Sequence, residues 1–171
     1  EGDQTLSSRE QLQIPPGDTV IALLPGSRQS ELAYMADTFI KTAKLIAQHS
    51  PGFRFLVPMV SRQTRDLFES KLYEHDAESL RLTILFGHSR DAIAAANVVL
   101  VASGTATLET ALYRKPMVIA YQMAKSSWRI MSRLRYQAWV GLPNIVAGRF
   151  IVPELLQDEA TPENLAQAVL N

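Results

Sequence analysis

Two short segments of this chain carry residue types suited to holding phosphate: Leu23-Leu24-Pro25-Gly26-Ser27-Arg28 and Ser103-Gly104-Thr105-Ala106-Thr107-Leu108-Glu109. Each sets a glycine between an apolar run and a helical pattern. In a protein of alternating strands and helices, strand C-termini open into a crevice and helix N-termini aim unpaired N–H groups into it. Gly26 allows a positive φ and close backbone approach. Ser27 brings a hydroxyl, and Arg28 a planar fork that matches phosphate oxygens. The plainer reading is a turn with a capping serine and a surface arginine, and for this turn alone the two are evenly matched.

In the second turn, Ser103 or Thr105 can cap the helix while other N–H groups stay open to an anion. Glu109 stands four residues after Thr105, on the same helix face one turn further in. A carboxylate there can accept hydrogen bonds from ribose hydroxyls. Its neighbours Ala106, Leu108, Ala111 and Leu112 are an apolar setting for an idle charge. Two such turns in one domain, one with an arginine and one with a glutamate, point to a nucleoside diphosphate.

The commonest owners of phosphate turns are excluded by spacing. Neither segment has the second glycine and Lys-Ser/Thr of a Walker loop, nor the glycine spacing of a dinucleotide fingerprint. Gly87-His88-Ser89-Arg90 is a third turn that can meet a nucleotide base through backbone groups. His88 as a base competes there with a capping or solvent histidine. His49, His75 and His88 are scattered without ligand spacing, so no metal is expected. Asn144, in Gly141-Leu142-Pro143-Asn144, reads more readily as a turn residue than as a ligand contact.

Composition narrows the class. The 171 residues fit one domain, and 47% hydrophobic with 20% charged residues is ordinary globular composition. Without cysteine there is neither a disulfide framework nor a thiolate metal site. No run is long enough to span a bilayer and no signal-peptide pattern opens the chain. The net charge is zero but uneven. No acid occurs between Glu109 and Glu154, while Arg114, Lys115, Lys125, Arg129, Arg133, Arg135 and Arg149 all do. That asymmetry points to an anionic partner. Arg129 and Arg133 share one face of a helical stretch over Lys125–Trp139, with Trp128, Met131 and Leu134 along another. A lipid surface fits this pattern at least as well as nucleic acid; a core helix with snorkelling arginines is the plainer alternative.

The elements that must position these residues follow from periodicity. Residues 1–18 read as a short leading helix, beginning near Ser7-Ser8-Arg9-Glu10, and a loop at Pro15-Pro16-Gly17-Asp18. From 19 to 171 the pattern is one α/β domain. Strands are expected at Thr19–Leu24, Phe53–Val60, Leu82–Phe86, Val98–Ala102 and Met117–Tyr121. Helices are expected at Ser30–His49, Arg62–His75, Asp91–Ala96 and Thr105–Tyr113. Alternation of this kind gives a Rossmann-like parallel sheet with helices on both faces.

With these segments in view, the chain resembles the lipid A disaccharide synthases, glycosyltransferases of the GT-B fold. The likeness is carried by Val20–Glu31 (VIALLPGSRQSE), Ala102–Leu112 (ASGTATLETAL), Lys115–Tyr121 (KPMVIAY), Leu142–Gly148 (LPNIVAG) and the tail from Val152 to Gln157. It runs from about Leu12 to the end. It implies the C-terminal, nucleotide-sugar-binding half of such an enzyme. The implied reaction moves 2,3-diacylglucosamine from its UDP derivative to 2,3-diacylglucosamine 1-phosphate, giving a β-1,6 disaccharide and UDP, with no cofactor. The resemblance implies that Ser27 and Arg28 sit near the diphosphate, Ser103, Gly104 and Thr105 on phosphate, Glu109 on ribose and Asn144 beside the donor, with Gly87 and His88 in the same crevice. Arg28, facing charge that develops on departing UDP, is the candidate catalytic residue. The general base would come from the N-terminal half, so the isolated chain is expected to bind UDP weakly without turnover.

The further implied partners are the acylated acceptor, that N-terminal half, and the inner-membrane surface of a Gram-negative bacterium, touched through Trp128, Arg129 and Arg133. The setting is then cytoplasmic and peripheral to the membrane, a homodimer is allowed, and nucleic acid is not expected. Two other readings remain open: another UDP-sugar enzyme of the same fold (an N-acetylglucosaminyltransferase or an epimerase), and a lipid-surface module without catalysis.

Overall fold

The computed structural model describes residues 2–102, 105–121, 154–156 and 160–170. Its elements in chain order are α1 (Gly2–Gln11), β1 (Val20–Leu24), α2 (Gln29–His49), β2 (Arg54–Met59), α3 (Arg62–Glu74), β3 (Leu82–Phe86), α4 (Ser89–Ala95), β4 (Val98–Ala102), α5 (Thr105–Leu112), β5 (Met117–Tyr121), β6 (Glu154–Leu156) and α6 (Pro162–Leu170). The strands form one parallel sheet in the order β3-β2-β1-β4-β5-β6. The Rossmann-like sheet is therefore present, with six strands where five are expected.

Burial on both faces explains the apolar runs. β1 (VIALL) is buried at all five positions, and its side chains alternate between two cores. Ile21 and Leu23 join Leu32, Met35, Phe39 and Ile46 of α2, Phe68 of α3 and Leu165 of α6. Val20, Ala22 and Leu24 join Ala92 and Ile93 of α4 together with Val99 and Val101 of β4. Helices thus cover both sides, as a parallel sheet requires. α2 supplies a long apolar stripe, with Leu32, Met35, Ala36, Phe39, Ile40, Ala43 and Ile46 at three- and four-residue spacing. Ser50 caps its end, just before Pro51-Gly52. At the start of α3, Ser61 and Thr64 form a reciprocal capping box.

Two local expectations change. Ser7-Ser8-Arg9-Glu10 lies in the second half of α1, which begins at Gly2. Ser8 and Arg9 are buried there while Ser7 and Glu10 are exposed, so the run lies within the helix and does not start it. The helix expected from Asp91 begins at Ser89. The helix expected at Lys125–Trp139 falls outside the described residues.

At the N-terminal edge of the sheet, Arg54 Nε donates to Asp18 Oδ2 at 2.5 Å, with Arg81 Nη2 3.8 Å from the same oxygen. The Arg54 hydrogen bond holds the Asp18 carboxyl below its usual pKa. A depressed folded-state pKa gives stability that is present above the ordinary carboxylate range and disappears as pH falls through the lowered value. Urea midpoints followed downward from neutral pH should therefore drop more steeply for the wild type than for Asp18→Asn. Equal acid slopes would remove this pair from the account.

Candidate functional site

Strand order places the two phosphate turns. Chain progression runs outward in both directions from between β1 and β4, which is the switch point of a doubly wound sheet, and ligands bind outside the strand C-termini there. Register brings the turns together: Leu24 of β1 pairs with Val101 of β4, so the chain leaves the two strands side by side, about 5 Å apart. After β1 come Pro25-Gly26-Ser27-Arg28 and then α2. After β4 come Ser103-Gly104, outside the described residues, and then α5.

The first turn has the backbone that its glycine suggests. Gly26 takes φ +132°, a conformation that side chains disfavour. The N-cap of α2 is Arg28, with φ −96° and ψ 145°, and it makes no side-chain capping bond. The capping serine of the plainer reading is therefore not found. Ser27 and Arg28 are both exposed, so the hydroxyl and guanidinium stand at the mouth of a helix N-terminus, where the macrodipole favours an anion.

Glu31, in the first turn of α2, is a member of this site that residue spacing did not single out. A Cβ placed on Gly26 would lie 2.8 Å from Glu31 Cγ and 2.9 Å from Cδ, so the glutamate side chain is folded against the glycine. It is half-buried. Desolvation pushes its carboxyl above the usual range, and the Arg28 charge pulls it only part of the way back. The available signal was a glutamate at the third helical position after a glycine turn.

The third turn lies two strands away, after β3 at the sheet edge. Gly87 (φ +73°) and His88 (φ +58°) are consecutive left-handed residues, and Gly87 N–H donates to Met59 O at 2.8 Å. His88 occupies the N-cap of α4, yet its side chain caps nothing. Its Nδ1 stands 3.2 Å from Asp91 Oδ2, and the side chain is 54% exposed. The fixed part of this turn is its backbone, which is the part assigned to a base.

On α5 the arrangement is mixed. Thr107 and Thr110 are fully buried, whereas Leu108 and Leu112 are exposed. Glu109 is half-buried between these two faces. The apolar surroundings expected for it are thus not formed by Leu108, Ala111 and Leu112, all of which face outward. Its one-turn offset from Thr105 along α5 is as expected. Of Thr105 only the backbone is described. Ser103, Gly104, Asn144, Trp128, Arg129 and Arg133 lie outside the described residues. Of the basic interval, Lys115 Nζ donates to Thr5 Oγ1 of α1 at 2.8 Å.

Comparison with known proteins gives a consistent picture. The family model described as lipid-A-disaccharide synthetase matches residues 1–171. A lipid-A-disaccharide synthase of Methylobacillus flagellatus is 54% identical over 163 residues, 95% of this chain and 43% of that protein. The chain thus spans about two fifths of the length of such curated relatives. Among solved structures, the ADP-heptose LPS heptosyltransferase II of E. coli shares the fold at TM-score 0.70 and 12% identity, covering 99% of this chain and 51% of that one. The UDP-GlcNAc 2-epimerase of Neisseria meningitidis, solved with UDP-GlcNAc, does so at TM-score 0.58 and 12% identity, covering 98% and 43%.

Proposed function

Because the chain belongs to the lipid-A-disaccharide synthetase family, we propose that it is the UDP-sugar-binding half of a glycosyltransferase that builds the lipid A disaccharide. The donor is UDP-2,3-diacylglucosamine and the acceptor 2,3-diacylglucosamine 1-phosphate. The acceptor 6-hydroxyl attacks the anomeric carbon, the bond to the β-phosphate oxygen breaks, UDP departs, and a base outside this chain takes the hydroxyl proton. The observation that carries the reading is the strand order, which sets Gly26, Ser27, Arg28 and the start of α2 at the switch point.

The roles follow from position. Ser27, Arg28 and the open N-terminus of α2 hold the diphosphate, helped by Ser103, Gly104 and Thr105 at the start of α5. Glu109 accepts from the ribose, Gly87 and His88 meet the base through the backbone, and Asn144 lines the donor pocket. The epimerase solved with UDP-GlcNAc supports a UDP-sugar ligand on this fold. Trp128, Arg129 and Arg133 then contact lipid at a cytoplasmic, peripheral position on the inner membrane.

The test is titration of the full chain with UDP, followed by NMR. Amide shifts at Gly26, Gly104 and Glu109 are expected. Silence there, beside salt-sensitive binding to anionic vesicles, would favour a lipid-surface module. Glu109→Ala should weaken UDP about tenfold, the loss of one or two charged hydrogen bonds, with the circular dichroism spectrum unchanged. Turnover by the full-length enzyme only with a non-acylated donor would replace the lipid A assignment by another UDP-sugar reaction.

A further inference from the structure

The turn after β1 holds a carboxylate where the proposed site needs to hold an anion. Glu31 belongs to the first turn of α2 and lies against Gly26, so closely that no Cβ fits between them. Such a contact does two things. It fills the space over the left-handed glycine and so fixes the path from Pro25 to Arg28. It also sets a carboxylate beside the turn and helix start that a diphosphate would use. Arg28, three residues earlier, is the cation whose charge acts on it.

We propose that Glu31 is a positioning residue of the diphosphate site, a resident carboxylate that orders the Pro25–Arg28 turn in the absence of ligand and competes with the incoming phosphate for Arg28. The proposal rests on the UDP-sugar reading above and deepens it. Two opposing effects are separable by chemistry. The shape of the side chain supports the turn, and its charge opposes the anion. Glu31→Gln keeps the first and removes the second; Glu31→Ala removes both.

The sign of the pH effect follows. Burial raises the Glu31 carboxyl, so it takes up its proton at a higher pH than an exposed carboxylate does. The neutral form repels phosphate less, so the penalty on binding is largest when the carboxylate is fully ionised. UDP has titrating phosphate groups of its own, which act alike on wild type and variant. The ratio of the two dissociation constants therefore isolates Glu31.

Calorimetric titration of the full chain with UDP at about pH 5 and about pH 8 reads this ratio. Glu31→Gln should bind UDP about fivefold more tightly than wild type at the higher pH, the scale of a like-charge cost across a partly exposed site. The gap should narrow at the lower pH, and Glu31→Ala should gain less than Glu31→Gln. A second readout uses thermal denaturation of the ligand-free chain. Gly26→Ala should cost more stability in the wild-type background than in the Glu31→Ala background, because the contact with Cγ and Cδ is gone in the latter. If UDP binds wild type and Glu31→Gln equally at both pH values, Glu31 has no such role and the site reading stands. If UDP binds neither protein, both fall.

Discussion

Arg9→Ala is expected to lower the unfolding free energy of the chain by about 3–5 kcal/mol, the range for stripping one partner from a buried charged network. Arg9 is 4% exposed, and its guanidinium donates to four acceptors: Ala95 O at 2.9 Å, Pro16 O at 2.7 Å, Asp18 O at 2.8 Å and Asn97 Oδ1 at 2.8 Å. Those oxygens come from the last turn of α4, the loop after α1 and the residue that precedes β4. Removing the side chain leaves the Ala95 carbonyl without its buried donor and takes the guanidinium from the part-buried oxygens of Pro16, Asp18 and Asn97. At the C-terminus of α4 the positive charge also complements the negative end of the macrodipole.

The Asn97 side chain extends the network to the sheet. Its Oδ1 also accepts from Val20 N–H at 2.8 Å, while Asn97 N–H donates to Val20 O at 2.7 Å. Asn97 thereby satisfies both backbone groups of the first residue of β1. Asn97→Ala should accordingly be non-additive with Arg9→Ala, with a coupling of about 1 kcal/mol or more in a double-mutant cycle. Urea unfolding with an unchanged m-value checks both predictions. A single-variant cost under about 1 kcal/mol would mean that water replaces the guanidinium without strain.

Local pattern made much of this fold legible. β1, β4 and β5 lie where apolar runs put them, because a strand buried on both faces leaves a run with no polar interruption, while β3, a partly exposed edge strand carrying Thr83, is marked by the turns that bound it. β6 was not legible. It is three residues long, begins with a charged one, and exists through its pairing with β5, Ile119 against Glu154. The burial of Arg9 was equally hidden, since α1 reads as a polar surface helix until α4 and the start of β1 supply acceptors. At the site, Gly26 and Arg28 are recognisable by type. What sequence cannot express is that the chain turns outward on both sides of β1 and β4. Glu31 needed a contact distance.

Arg28→Ala should reduce kcat of the full-length enzyme by about a hundred- to a thousandfold, the usual loss when one preorganised donor to a developing anion is removed. The effect on KM should be smaller. In the proposed UDP-sugar donor, the β-phosphate carries one sugar ester, one anhydride bridge and a single negative charge. As the glycosidic bond breaks, a second charge grows on the oxygen that becomes the UDP terminus. A cation at the start of α2 attracts that growing charge more than the resting one, and only such a difference accelerates the chemical step.

Arg28 is suited to this by being exposed at the N-cap with no capping bond of its own. Its charge also acts on Glu31, whose burial-raised carboxyl it pulls only part of the way back. Arg28→Lys should recover part of the loss, because an ammonium supplies charge without the two-pronged fork. Neither substitution should move the unfolding free energy by more than about 0.5 kcal/mol, as expected of a surface side chain. Stability and catalysis therefore separate cleanly at this position, unlike at Arg9. A kcat within about twofold of wild type would show that the helix N-terminus alone stabilises the departing UDP.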